Sequence, residues 1–269
     1  MMLWILGAGL IVLILLSLKY CWWRPTVGLE HPRILMYHMI SGSLSKQKHR
    51  GLRVSPEMFE RQVAWLKASD WTFIKASELF TEKAQGDKRV AITFDDGYED
   101  NYSQALPILK KYDACATLYL VTDRHERDWS VNKNAKHNSG DLMREAKLSD
   151  KQVAEMLASG VFELGGHTLT HCHLPSVDLA TKTFEINECK KVLNATFATQ
   201  VTSFAYPFGH YSDEDIKLCV AADFNTAVTT DEGIDTQPNA FRLKRVKVSG
   251  KDNFFAFKTR MRIGFRGYI

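Results

Sequence analysis

The sequence predicts an α/β protein, built either as a (β/α) barrel or as an open doubly wound sheet. Three observations predict it. Short apolar runs alternate with helical patterns about seven or eight times in the roughly 245 residues that follow Arg24. Several of those runs end in residues capable of chemistry, which is where barrel enzymes place their sites. A run with no charged residue, Met2 to Leu18, precedes all of this. Other classes are excluded by composition, since 45% hydrophobic and 25% charged residues fit neither a disordered nor a collagenous chain. The net charge of +4 is too small for a dedicated nucleic-acid binder. All of that excess lies between Lys251 and Ile269, where five basic residues face Asp252 alone.

The first element is the apolar run. As a helix it covers about 25 Å, close to a bilayer core of about 30 Å. Tyr20, Trp22 and Trp23 come next as an interfacial aromatic belt. The alternative is a cleaved signal peptide, but no Lys or Arg precedes the run and bulky residues succeed it. Residues 1–24 therefore read as an uncleaved single-pass anchor, and 25–269 as one folded domain. Lys19 and Arg24 flank the anchor on its C-terminal side only, which puts the domain in the cytoplasm by the positive-inside rule. The five scattered cysteines, with no paired spacing, agree with a reducing compartment.

The strand-like runs are Arg33–His38, Trp71–Ile74, Val90–Phe94, Ala116–Val121, Phe162–Gly165, Ser203–Phe208, Thr226–Thr230 and Arg245–Ser249. Between them lie helices with readable starts. Ser55-Pro56 is an N-cap followed by proline at the first helical position. Ser149 to Gln152 is a capping box. Leu179, Ile186, Cys189, Leu193 and Phe197 stripe a longer helix, and Ser212 caps another. Asp123 to Asp150 is polar and reads as a loop insertion. The C-terminal Phe254, Phe255, Phe257, Phe265 and Tyr268 read either as a docked helix or as a basic aromatic tail near a membrane surface.

Four strand ends converge on chemistry: His38, the pair Asp95-Asp96, His167, and Pro207-Phe208-Gly209. Asp-Gly after a strand is also a common turn. As a site, however, two adjacent carboxylates stay ionised together only beside a cation. His167 and His171 have the i, i+4 spacing that puts two imidazoles on one helical face, and with Asp96 they make an open three-ligand metal set. His173 is a competing ligand, but at i+2 it does not face His171 on a helix. His31, His49, His125, His137 and His210 have no comparable company and read as solvent-facing.

These residues resemble the polysaccharide deacetylases of carbohydrate esterase family 4. Thr93 to Gly97 (TFDDG), His167 to His171 (HTLTH) and Tyr206 to Gly209 (YPFG) look like that family's first three motifs, in order and separation. The N-terminal ILMYHMI and SPEMFERQVAWL resemble the sub-branch that includes poly-N-acetylglucosamine deacetylases. The resemblance covers about Arg33 to Ser249 and implies a distorted (β/α) barrel of about seven strands. It also implies an N-deacetylase holding one divalent metal, zinc by ligand type, with cobalt, manganese or nickel as substitutes. Carried over by motif, Asp95 is the base, Asp96, His167 and His171 the metal ligands, and His38 the general acid. A histidine suits that role near neutral pH, particularly if a carboxylate holds it charged.

The chain departs from the pattern in two places. The Arg that often opens the third motif is Ala205 here, and the late Leu-x-His motif is absent. Arg242 to Val248 instead resembles a late strand of the sub-branch, so Arg245 reads either as the group that reaches Asp95 or as a surface cation. Tyr206 and Phe208 are expected to pack on the sugar ring, with the Phe208 backbone N–H at the oxyanion. The expected partners are an N-acetylated polymer, or a lipid- or nucleotide-linked amino sugar, and the inner membrane, with the catalytic domain outside the cytoplasm by the family resemblance and inside it by the flanking charge. The contrasting class is an inactive glycan-binding or scaffolding relative.

Overall fold

A computed structural model describes residues 2–42, 49–127 and 140–268. In chain order the elements are α1 (Met2–Tyr20), β1 (Arg33–Tyr37), β2 (Met39–Ile40), β3 (Arg53–Val54), α2 (Pro56–Ala68), β4 (Thr72–Ile74), β5 (Arg89–Asp96), α3 (Leu106–Lys111), β6 (Ala116–Leu120), α4 (Asp141–Arg144), α5 (Asp150–Ala158), β7 (Phe162–Gly166), α6 (Leu179–Phe197), β8 (Ser203–Ala205), α7 (Asp213–Ala221), β9 (Thr226–Glu232), β10 (Leu243–Lys247) and α8 (Phe254–Ile263). Each of the eight strand-like runs is a strand of one sheet.

That sheet is a barrel and not an open doubly wound sheet. β1 pairs in parallel with both β10 and β5, so β1-β5-β6-β7-β8-β9-β10 closes into a seven-strand ring, with β4 beside β5 outside it. Closure leaves no exposed edge along the ring. Alternate residues then separate two apolar layers. Leu35, Tyr37, Ile92, Phe94, Leu118 and Val246 belong to the layer packed with α2, α5 and α6 residues, whereas Ile34, Ala91, Tyr119, Ala205, Val228 and Leu243 share a separate, smaller cluster inside the ring.

Helix starts obey the sequence signals. The Ser55 side chain accepts the Met58 N–H at 3.2 Å, and Ser149 and Ser212 complete capping boxes with Gln152 and Asp215. α6 differs in detail. Its buried face is Lys182, Glu185, Ile186, Cys189 and Leu193, while Leu179, expected on the stripe, is exposed. The Asp123–Asp150 stretch is only partly a loop. Its later part forms α4, and residues 128–139, with His137, lie outside the described residues.

The C-terminal segment is a docked helix. Phe257 and Met261 of α8 are buried in the main core. The chain beyond α8 is fastened to the foot of α1: Tyr268 N–H bonds the Leu18 carbonyl at 2.9 Å, and Arg24 lies 4.3 Å over the Phe265 ring. Asn253 bonds the Tyr20 hydroxyl at 2.9 Å. α1 exposes Leu6, Leu10, Ile11, Val12, Leu13 and Ile14. Among the described residues, whose side chains in α1 begin at Leu6, no helix is long and apolar enough to cross a membrane.

Candidate active site

Strand register brings the site residues to one end of the barrel. Tyr37 pairs with Phe94, so His38 lies next, at the level of Asp95. Asp96 pairs with Leu120, Leu120 with Gly166, and Gly166 with Phe204, so Asp96, His167 and Ala205 share one rim. Two adjacent residues of a strand point to opposite faces. Asp95 keeps the inward parity of Ala91 and Thr93. Asp96 has φ 78°, a left-handed conformation that breaks the alternation and brings the second carboxylate to the same rim.

Asp95 is buried and gripped from below. Arg245 forms a two-pronged pair with it, Nη1 to Oδ1 and Nη2 to Oδ2, both at 2.7 Å. The guanidinium also donates to the Thr229 carbonyl at 2.8 Å and to Thr93 Oγ1 at 3.1 Å. Arg245 is wholly buried, which removes the surface-cation reading. It starts lower in the barrel than Asp95, since Val246 lies beside Leu35 and hence level with Ile92. The long side chain spans that offset. Burial pushes the Asp95 carboxyl up, but Arg245 outweighs it and holds the group below the ordinary aspartate value.

Asp96, His167 and His171 come together, all buried, with their donor atoms within 4.8 Å of one another. His167 Nε2 and His171 Nε2 stand 3.3 and 3.4 Å from the same oxygen, Asp96 Oδ1. His167 Nδ1 is 2.7 Å from the Ala205 carbonyl, which can only accept, so Nδ1 carries the proton. With Nδ1 the donor, Nε2 is the ligand atom, and it faces Asp96. Burial lowers the His171 pKa to about 3, so that ring is neutral. Burial pushes the Asp96 carboxyl up, but positive charge on the imidazole side outweighs it and holds the group below the ordinary aspartate value, so Asp96 is the anion of the set. Two lone pairs facing one carboxylate oxygen repel unless a cation lies among them. The donor set therefore fits a divalent metal with a position left open.

The two imidazoles are not on a helix, as their spacing suggested. Residues 167–173 are irregular, and Thr168 (φ 60°) and His171 (φ 59°) are left-handed. A tight turn after β7 does what a helical face would have done. His173 is not in the ligand cluster. Its Nε2 lies 2.9 Å from His210 Nδ1, so His210, though exposed, has the company that the sequence did not show.

His38 Nε2 is 3.8 Å from Asp95 Oδ2. Burial outweighs the pull of Asp96 and Asp95, so its pKa lies below the ordinary histidine value, and the expected carboxylate-held imidazolium is not what the site favours. Asn101, which sequence reasoning missed, donates to the His38 carbonyl at 2.8 Å. Its signal was slight: a polar residue one helical turn after the Asp-Gly turn, at the entry to a π-helical segment. Phe208, with φ 60°, sets its ring 4.5 Å from His171. Tyr206 is misplaced by the sequence reading. It is wholly buried, stacked on Tyr211 at 4.7 Å and bonded to the Phe241 carbonyl, so no sugar reaches it.

The family pattern of the polysaccharide deacetylases matches residues 82–227. YxkH of Bacillus subtilis, assigned as a polysaccharide deacetylase, is 32% identical over 80% of this chain and 71% of its own. The poly-beta-1,6-N-acetyl-D-glucosamine N-deacetylase of Staphylococcus aureus is 27% identical over 76% of this chain and 71% of its own. A crystal structure of a Bacillus cereus polysaccharide deacetylase superposes with a TM-score of 0.72 at 26% identity, covering 86% of this chain and 69% of the other. With two carboxylates and two imidazoles at one barrel rim and this likeness across most of its length, the chain belongs to the polysaccharide deacetylase family, hydrolases that act on carbon–nitrogen bonds.

Proposed function

We propose that the chain is a metal-dependent N-deacetylase that hydrolyses the acetamide of an N-acetylated amino sugar in an envelope polysaccharide or glycolipid, releasing acetate. The convergence of His167 and His171 on one oxygen of ionised Asp96, beside an arginine-held Asp95, carries this reading. Two imidazoles and a carboxylate suit zinc, and cobalt, manganese and nickel accept the same donors. A divalent cation bound there supplies a Lewis acid and lowers the pKa of a water towards about 7. Asp95, ionised and aimed by Arg245, takes the proton of the attacking water. The Phe208 backbone N–H stands for the oxyanion donor, because Pro207 has none. His38 gives a proton to the departing amine. The named activity of the Staphylococcus aureus relative supports a β-1,6-linked N-acetylglucosamine polymer as substrate class.

The experiment is acetate release from β-1,6-linked N-acetylglucosamine oligomers by protein stripped with a chelator and then reloaded with Zn²⁺. Release should vanish on stripping and return on reloading. Full release from metal-free protein overturns the metal dependence. No release from loaded protein on any N-acetylated glycan points to a glycan-binding relative.

His38→Ala is expected to keep its metal and lose about 10²-fold or more of turnover, the usual worth of general acid catalysis. The protonated form is the active one and burial holds the His38 pKa below the ordinary histidine value, so the wild-type rate falls as pH rises through a point below that value. That alkaline limb should be missing from the variant. A folded variant with full turnover and the limb intact would make His38 structural.

The exposed apolar side chains of α1, with Trp22 and Trp23 exposed at its foot, support anchoring at the inner membrane. Lys19 and Arg24 favour a cytoplasmic domain, and a polymer substrate favours the outer face. Fusions at Ile269 to alkaline phosphatase and to a fluorescent protein separate the two, since phosphatase activity requires export. A chain wholly in the soluble fraction removes the anchor.

A further inference from the structure

The turn that carries His167 and His171 is held in a costly backbone. Thr168 and His171 are both left-handed, and Thr168 is β-branched. Such a conformation persists only where its surroundings over-determine it. From one side, Thr122 N–H bonds the Thr168 carbonyl at 3.3 Å and Asp123 N–H bonds the Leu169 carbonyl at 2.7 Å. From the other side a single residue, Glu185 in the middle of α6, makes three bonds. Its backbone carbonyl accepts the Leu169 N–H at 3.1 Å. Its carboxylate accepts the Thr170 N–H at 2.9 Å through Oε2 and the Thr170 hydroxyl at 2.6 Å through Oε1.

Glu185 is 6% exposed. Among the described residues no Lys, Arg or His forms an ion pair with it. Arg127 feels the Glu185 charge from outside ion-pair distance, and burying a carboxylate with no cation in contact is costly, so an apolar residue would serve the core better. What the carboxylate holds is Thr170, the residue next to His171 and three after His167. We infer that Glu185 is a positioning residue for the metal centre: it clamps Thr170 so that the two imidazoles keep their Nε2 atoms on Asp96. This rests on the metal-site reading of the proposed function, and Glu185 itself touches neither substrate nor metal.

The test compares wild type, Glu185→Ala and Glu185→Gln by titrating the metal-free proteins with Zn²⁺ against a chromophoric chelator, with metal-free melting curves alongside. Outer partners of metal ligands are typically worth about 10–100-fold in affinity, and Glu185→Ala should lose that much. Glu185→Gln should stay within about threefold of wild type, because its amide oxygen can accept the Thr170 N–H while its NH₂ donates to the hydroxyl. A purely structural role would lower the melting temperature of Glu185→Ala and leave the Zn²⁺ affinity of its folded fraction unchanged, which overturns the inference. Equal losses in Ala and Gln overturn it too, since charge and not geometry would then matter. If Glu185→Ala does not fold, Thr170→Val removes the hydroxyl alone, and unchanged affinity in that variant overturns the inference. Wild type that binds no Zn²⁺ refutes the metal reading itself.

Discussion

Asp95→Asn is expected to keep its metal and lose between about 10² and 10⁴ of its turnover, the range that general base catalysis contributes. The side chains of Asp95 and Asp96 are adjacent in sequence but stand in different electrostatic surroundings. Asp95 faces the Arg245 fork at 2.7 Å on both oxygens, whereas Asp96 faces two imidazoles at 3.3 and 3.4 Å. Asparagine keeps the shape and one acceptor for Arg245 but cannot take up a proton at neutral pH. It leaves a buried guanidinium only partly matched, so a loss of stability should accompany the loss of rate. The measurement is metal content per folded protein together with kcat on an acetylated oligosaccharide. Asp95→Asn without metal, beside Asp96→Asn with it, would show the two roles reversed.

Removing both imidazoles should have the larger effect. The His167→Ala, His171→Ala variant is expected to bind no metal at stoichiometric Zn²⁺ and to release acetate at the background rate. Asp96 would remain as a lone carboxylate, and one monodentate oxygen does not hold a divalent cation against water. The burial of both rings adds a stability cost, so metal content is to be read on protein with a cooperative melting transition. Undiminished metal in that folded variant places the cation elsewhere. The single variants are expected to fall between, since two of the three donors persist in each.

Periodicity and capping are local properties, and they made most of the fold legible before any coordinates. All eight apolar runs are strands, and Ser55, Ser149 and Ser212 start the helices their side chains can cap. The chemistry-bearing strand ends were equally legible, because residue type and motif spacing survive in one dimension. Parity along a strand argues against two neighbouring carboxylates in one site, and only the φ of 78° at Asp96 lifts that objection. The residue types around it permit that angle, as Asp before Gly does in a turn, but do not require it.

The tertiary structure alone decided the rest. Barrel and open sheet have the same alternation of elements, and they differ only in whether β1 finds β5 and β10 together. Arg245 was ambiguous because 150 residues separate it from Asp95, and a long-range ion pair leaves no periodic trace. Tyr206 was misread because an aromatic residue beside a motif looks the same whether it faces a substrate or Tyr211. His167 and His171 had a helical spacing in a segment that is not a helix, since a turn of left-handed residues brings i and i+4 together as well. Glu185 and Asn101 escaped notice because most of what they hold is backbone, and backbone groups are the same at every position. The sequence by itself determined the elements and the chemical groups available; the closure of the barrel decided which groups meet, because register and chain reversal act between residues far apart in sequence.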